Sequence, residues 1–176
     1  YINKLKKNNK TVFGYIGTIG SWFDYEAVSR IVNYNKNFHI VLVGLNKLEK
    51  ISSPNLHYFG PVDKSKIPNI INSFDYCLYN FRINDFLNTI DPVKVYEYVS
   101  LNKKVISVRS IETERFEGLV NLYSSYDELI KILDNLNNIE KPFNNTNDLK
   151  KFIEENSWDC RVKYINQKIK ELYNER

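Results

Sequence analysis

The feature that most constrains this chain is a change of hydrophobic rhythm that recurs along its length. Short β-branched and aromatic runs alternate with stretches of helical period. Residues 11–17 (TVFGYIG) predict a strand closed by glycine, and 24–35 a helix with Ala27, Val28, Ile31 and Val32 on one face. Residues 38–44 (FHIVLVG) and 56–60 (LHYFG) predict a second and a third strand. In 65–74, Ile67, Ile70, Ile71 and Phe74 follow helical spacing, with Pro68 tolerable in the first turn. Residues 75–79 predict a fourth strand, 80–91 a polar loop, and 92–101 a helix with Asp91 as N-cap and Pro92 at its first position. Further strands are expected at 104–108 and 119–123. Ser125 and Glu128 form a capping box for a helix over 126–136 with Leu129, Ile130, Leu133 and Leu136 inward. An Asn-rich stretch, 137–147, reads as a surface connection. Ser157 then caps a long helix with a stripe of Trp158, Val162, Ile165, Ile169 and Leu172.

Repeated strand–helix alternation implies an α/β fold: a Rossmann-like open parallel sheet of about six strands, helices on both faces, and a long C-terminal helix. The 176 residues suit a single domain. With 43% hydrophobic and 26% charged residues, the chain can bury an ordinary core. Its net charge of +4 is scattered apart from Lys4, Lys6 and Lys7. That spread argues against a nucleic-acid partner and leaves room for weak peripheral attraction to anionic headgroups. No apolar run is long enough to span a bilayer. Cys77 and Cys160 lack metal or redox spacing and are expected as buried or half-buried thiols, which fits a reducing, cytoplasmic setting. The chain opens on Tyr1, so it is expected to belong to a longer protein.

Ligands of open parallel sheets bind beyond the carboxyl ends of the strands. Gly17, Gly20, Gly44 and Gly60 fall there, and 17–20 (GTIG) is the best phosphate-facing loop, although it lacks a third glycine and no P-loop motif is present. The start of the helix after strand four offers free N–H groups and a positive dipole end to a diphosphate. Lys94 in its first turn could neutralise phosphate, and Glu97 could accept ribose hydroxyls. The alternative for these two is an ordinary intrahelical ion pair. His39 and His57 have no acidic neighbour in sequence and read as packing or surface residues; Trp22 and Trp158 read as core or interdomain contacts.

From Gly60 the chain reads GPVDKSKIPNIINSFDYCLYNFRINDFLNTIDPVKVYEYVSLNKKVISV. This resembles the C-terminal donor-binding domain of GT-B glycosyltransferases of the group 1, family 4-like type. GYIGTIGSWFDYEAV and ENSWDCR resemble that family's first strand and loop and the opening of its last helix, so the likeness covers about residues 11–173. The resemblance implies a nucleoside-diphosphate-sugar donor, no bound metal or cofactor, and an acceptor domain outside this chain. It implies a retaining enzyme of glycan synthesis, inactive without its N-terminal half. It places Glu97 at the ribose, Pro92 and Lys94 beside the diphosphate, Gly17 and Thr18 over the phosphates, and Gly60, Pro61 and Val62 at the base. Two departures stand out. Thr89 occupies the position of the family's first glutamate, and 18–25 lack the usual basic residues, so diphosphate charge would fall to Lys94, Arg82 and the helix end beside Asp91. Two rivals remain. A nucleotide-sugar epimerase or dehydrogenase would want a fuller glycine fingerprint and a Tyr-x-x-x-Lys pair near the strand ends, where Tyr34 and Tyr79 lack the lysine and the spacing occurs only at Tyr164 and Lys168 in the C-terminal helix; a non-catalytic, degenerate binding module would tolerate Thr89.

Overall fold

A computed structural model describes residues 1–174 and divides the chain into two compact units, one from Tyr1 to Pro142 and one from Phe143 onward. The first holds the whole sheet. Its strands are β1 (Thr11–Ile16), β2 (Phe38–Val43), β3 (Leu56–Phe59), β4 (Tyr76–Tyr79), β5 (Lys104–Val108) and β6 (Asn121–Tyr123). They are parallel, in the order β3-β2-β1-β4-β5-β6. The chain therefore builds outward from β1 in one direction, then returns to the other side of β1 with β4. That reversal creates a crevice between the carboxyl ends of β1 and β4.

The helices of this unit are α1 (Ile2–Lys7), α2 (Tyr25–Tyr34), α3 (Ile67–Ser73), α4 (Val93–Ser100) and α5 (Tyr126–Asp134). Opposed pairs Phe13–Tyr76 and Gly14–Cys77 define the two faces of the sheet. On one face, Phe13 packs on Phe38, Tyr34 of α2 stacks on Phe38, and the Tyr76 hydroxyl donates to the Leu136 carbonyl just beyond α5. On the other, the Phe74 ring fills the space where a side chain at position 14 would begin. A Cβ added to Gly14 would lie 2.0 Å from that ring, so glycine in mid-strand is a packing requirement. All six β2 residues are buried, as a strand covered on both faces demands.

Several local expectations shift. Asp24, not the first residue of a helix, caps α2 by accepting from the N–H groups of Glu26 and Ala27. Asp91 does not cap α4. Pro92 occupies the N-cap position without a side-chain cap, and the Asp91 carboxylate is drawn off by Arg115 at 3.1 Å, an ion pair with a residue 24 positions away. The capping box at α5 is displaced by one residue: Ser125 accepts from Glu128 N–H, but the Glu128 carboxylate accepts from Ser124 N–H. Ile130 is only half-buried, whereas Leu129, Leu133 and Leu136 are core.

The second unit holds α6 (Thr146–Glu155) and α7 (Trp158–Asn174). Asn145 caps α6 through Asp148 N–H; this helix was not expected, because its apolar content is low and the Asn-rich approach resembles a loop. Ser157 accepts from Cys160 N–H at the start of α7, as expected. The stripe on α7 is exposed, from 45% at Ile169 to 74% at Trp158, so Trp158 is not a core residue. Cys160 is exposed as well, and only Cys77 is buried. Among the described residues no helix is long and apolar enough to cross a membrane.

Candidate functional site

The β1–β4 ladder pairs only Phe13 with Tyr76 and Gly14 with Cys77, whereas β1 and β2 pair along six residues. The two central strands thus part toward their carboxyl ends. Tyr98 of α4, fully buried, fills the gap: the Ile16 N–H donates to its hydroxyl at 3.1 Å. Burial holds that phenol well above its ordinary pKa, so it stays neutral.

Beyond Ile16 the chain continues alongside β2. Gly17 N–H donates to Val43, Ile19 N–H to Leu45, and Lys47 N–H to Ile19. Successive N–H groups of an extended chain point to opposite sides, so the Thr18 N–H lies on the β4 side, next in line after Ile16. Among the described residues the N–H groups of Thr18 and Gly20 find no acceptor. Gly44, with φ of 138°, permits the close approach that shapes this loop; a Cβ there would lie 2.2 Å from the Gly17 carbonyl oxygen.

Helix α4 starts on the other side of the gap. Pro92 is buried and Val93 is 50% exposed, so the helix tip is open. Val93 N–H turns back to the Asp91 carbonyl and Val95 N–H to that of Pro92, while the Lys94 N–H finds no acceptor among the described residues. The Lys94 ammonium meets both carboxylate oxygens of Glu97, at 3.1 and 2.9 Å, with both side chains partly exposed. The ion pair foreseen as the plain alternative therefore forms. Such an exposed pair contributes about 0–1 kcal/mol and is readily exchanged for a ligand.

The remaining sequence candidates spread along the same sheet end. Gly60, Pro61 and Val62 follow β3 at its edge and are exposed. At about 4.8 Å between strands they stand roughly 10 Å from β1, within reach of an extended ligand only. Thr89 is exposed, and its hydroxyl donates to the Phe86 carbonyl within a 3₁₀ turn spanning Asp85–Thr89. Arg82 lies in the loop after β4. Its N–H donates to Trp22, part of a zipper in which Phe23 bridges Phe81 and Asp24 N–H donates to Asn80, and its side chain borders a cavity on the α2/α5 face. Asp85, Asp91 and Glu97 do not converge; no cluster of three acidic, His or Cys side chains exists among the described residues.

Three residues escaped sequence reasoning. Tyr79 ends β4 with a buried hydroxyl that has no hydrogen-bond partner; burial first, then the charge of Asp91, raises its pKa beyond the phenol range. Its place at a strand's carboxyl end was a usable signal. Arg115 and Tyr98 carried none, because their partners lie 24 and 82 positions away. His39 and His57, adjacent on β2 and β3, pair Nδ1 to Nε2 at 2.9 Å far from this gap, in keeping with a packing role.

No protein-family model matches the sequence, and no curated protein does. Solved structures do share its fold. Anabaena HepE in complex with UDP-glucose superposes with a TM-score of 0.69 at 15% identity, over 99% of this chain and 52% of that one. A UDP-N-acetylglucosamine 2-epimerase gives 0.53 at 16%, over 87% and 44%. The trehalose-6-phosphate synthase OtsA gives 0.52 at 11%, over 76% and 37%. The fold is that of a GT-B carboxyl-terminal domain. The chain spans about half the length of HepE.

Proposed function

We propose that this chain is the donor-binding part of a glycosyltransferase and holds a nucleoside-diphosphate sugar in the gap between β1 and α4. The carrying observation is that the open N–H groups of Thr18 and Lys94, together with the Lys94 ammonium, border the point where the two central strands separate. Backbone donors and a helix tip that need no reorganisation stabilise the charge growing on a departing diphosphate. In this reading Lys94 leaves Glu97 for phosphate, and the freed Glu97 carboxylate accepts ribose hydroxyls. Gly17 and Thr18 cover the phosphates, Pro92 and Asp91 shape the helix tip, and Gly60, Pro61 and Val62 border the base. Thr89 replaces a carboxylate, so contact with the sugar hydroxyls is weaker there. The structural relatives captured with UDP or UDP-glucose support this ligand class.

The same reading makes the parent enzyme retaining and metal-independent, active in glycan synthesis in the cytoplasm or at the inner membrane face. It requires an N-terminal acceptor domain for transfer, and the exposed apolar stripe of α7 is suited to meet one. The fold alone does not separate transferases from epimerases, since both occur among the relatives. The rival non-catalytic module is favoured by Thr89.

Isothermal calorimetry with UDP, GDP and ADP tests the proposal. Binding of at least one, with UDP expected, supports it; silence with all three overturns donor binding and leaves the non-catalytic module.

A further inference from the structure

A second cavity opens at the carboxyl end of the sheet, on the α2/α5 face. It measures about 470 Å³ and is bordered by Asp24, Glu26, Arg82, Ile83 and residues 123–126. Tyr123, at the end of β6, lines it while only 2% exposed, and its hydroxyl is buried without a hydrogen-bond partner. Asp24, 6% exposed, lies beside it. Its Oδ1 accepts from Glu26 and Ala27 N–H, and the Tyr126 hydroxyl donates to Oδ1 at 3.3 Å and Oδ2 at 3.2 Å, leaving Oδ2 with further acceptor capacity.

This combination selects a ligand by charge. The Asp24 carboxylate disfavours an anion, the Arg82 guanidinium disfavours a cation, and Glu26 is already neutralised by Arg30 at 2.9 Å. A neutral molecule rich in hydroxyls suits the remaining acceptor capacity of Asp24 Oδ2, the unpartnered Tyr123 phenol and the hydroxyls of Ser124 and Ser125. Ile83 and the tyrosine rings offer apolar surface to ring C–H groups. The volume falls within the range of small-ligand pockets.

We propose that this cavity binds one pyranose ring of a neutral glycan, with ring hydroxyls bridging the Tyr123 hydroxyl and Asp24 Oδ2. Calling that glycan the acceptor rests on the donor reading above; sugar binding itself does not.

The test is an amide chemical-shift titration of the ¹⁵N-labelled chain. The probes are methyl glucoside, methyl galactoside, N-acetylglucosamine and cellobiose, with UDP titrated separately. At least one neutral sugar is expected to shift the amides of Asp24, Ser124, Ser125 and Tyr126, while UDP shifts those of Thr18 and Lys94. Absence of any sugar-induced shift at the cavity overturns the site, even where UDP binds. Sugar binding with no response to UDP overturns the acceptor assignment and the donor reading together, and upholds the cavity as a sugar site. Tyr123→Phe removes the orphaned hydroxyl without opening a hole. It is expected to weaken sugar binding about fivefold, one hydrogen bond's worth, and to leave UDP affinity unchanged. Equal sugar affinity in the two proteins overturns the role of Tyr123.

Discussion

At the amino end of the sheet a cavity of about 620 Å³ is larger than the one at the carboxyl end, yet among the described residues none of its buried side-chain polar atoms lacks a partner. Asp75 accepts from the Val12 N–H at 2.8 Å and pairs with Lys6 at 2.7 Å. Lys103 donates to the carbonyls of Asn72 and Phe74, and Tyr76 to that of Leu136. At the carboxyl end the reverse holds. The three buried side-chain atoms without a partner among the described residues, Tyr79 Oη, Asn80 Oδ1 and Tyr123 Oη, all sit at the ends of β4 and β6. A buried polar group left alone costs about 1–3 kcal/mol, so each such atom calls for a partner from outside the chain, a water or a ligand. Unmatched hydrogen-bonding capacity, more than empty volume, distinguishes the end proposed to meet a ligand.

The contrast can be broken by mutation. Asp75→Ala removes an ion pair and orphans the Val12 N–H at the amino end; urea unfolding should show a loss of about 2–3 kcal/mol, with UDP affinity of the folded protein unchanged. An altered affinity would mean that the two ends are coupled. Glu97→Ala should do the opposite, weakening UDP by about 1–3 kcal/mol in calorimetry while stability moves by about 0.5 kcal/mol or less. Unchanged UDP affinity would remove Glu97 from the ribose site.

A finer comparison uses two tyrosines of one strand. Tyr76→Phe deletes a satisfied hydroxyl and should cost about 1 kcal/mol, whereas Tyr79→Phe deletes an orphaned one and should leave stability equal or raised by up to about 1 kcal/mol. Equal losses at both sites would show that Tyr79 is already hydrogen-bonded in solution. The smallest effect concerns pH. Burial lowers the pKa of His39, assisted by the charge of Lys10, and that of His57, assisted by His39. Both are neutral above the ordinary imidazole value of about 6.5, where their contribution to stability is full. Stability should decline as pH falls below that value through their lowered folded-state pKa values. A melting temperature that stays level between neutral and mildly acidic pH would remove the histidine pair from this account.

Much of the carboxyl end was legible because it depends on local pattern. Glycines closing strands, the helix start at Pro92 and the Lys94–Glu97 spacing are short-range features, and each falls at the end of the sheet where the loops gather. Asp91 shows where such reading stops. Its position favoured a cap, but a guanidinium brought in from the loop after β5 competes for the same carboxylate. The α7 stripe shows a second limit: periodicity identifies an apolar face without saying what covers it.

By itself, then, the order of residues determined the strand–helix alternation, the caps at Ser125 and Ser157 and the location of the glycine-bearing loops at the strand ends, because these follow from interactions within a few residues of chain. Only the tertiary structure decided the parting of β1 from β4, the insertion of Tyr98, the Asp91–Arg115 pair and the gathering of unmatched polar atoms at one end. Each of those depends on groups far apart in sequence meeting at a sheet whose strand order no local pattern encodes.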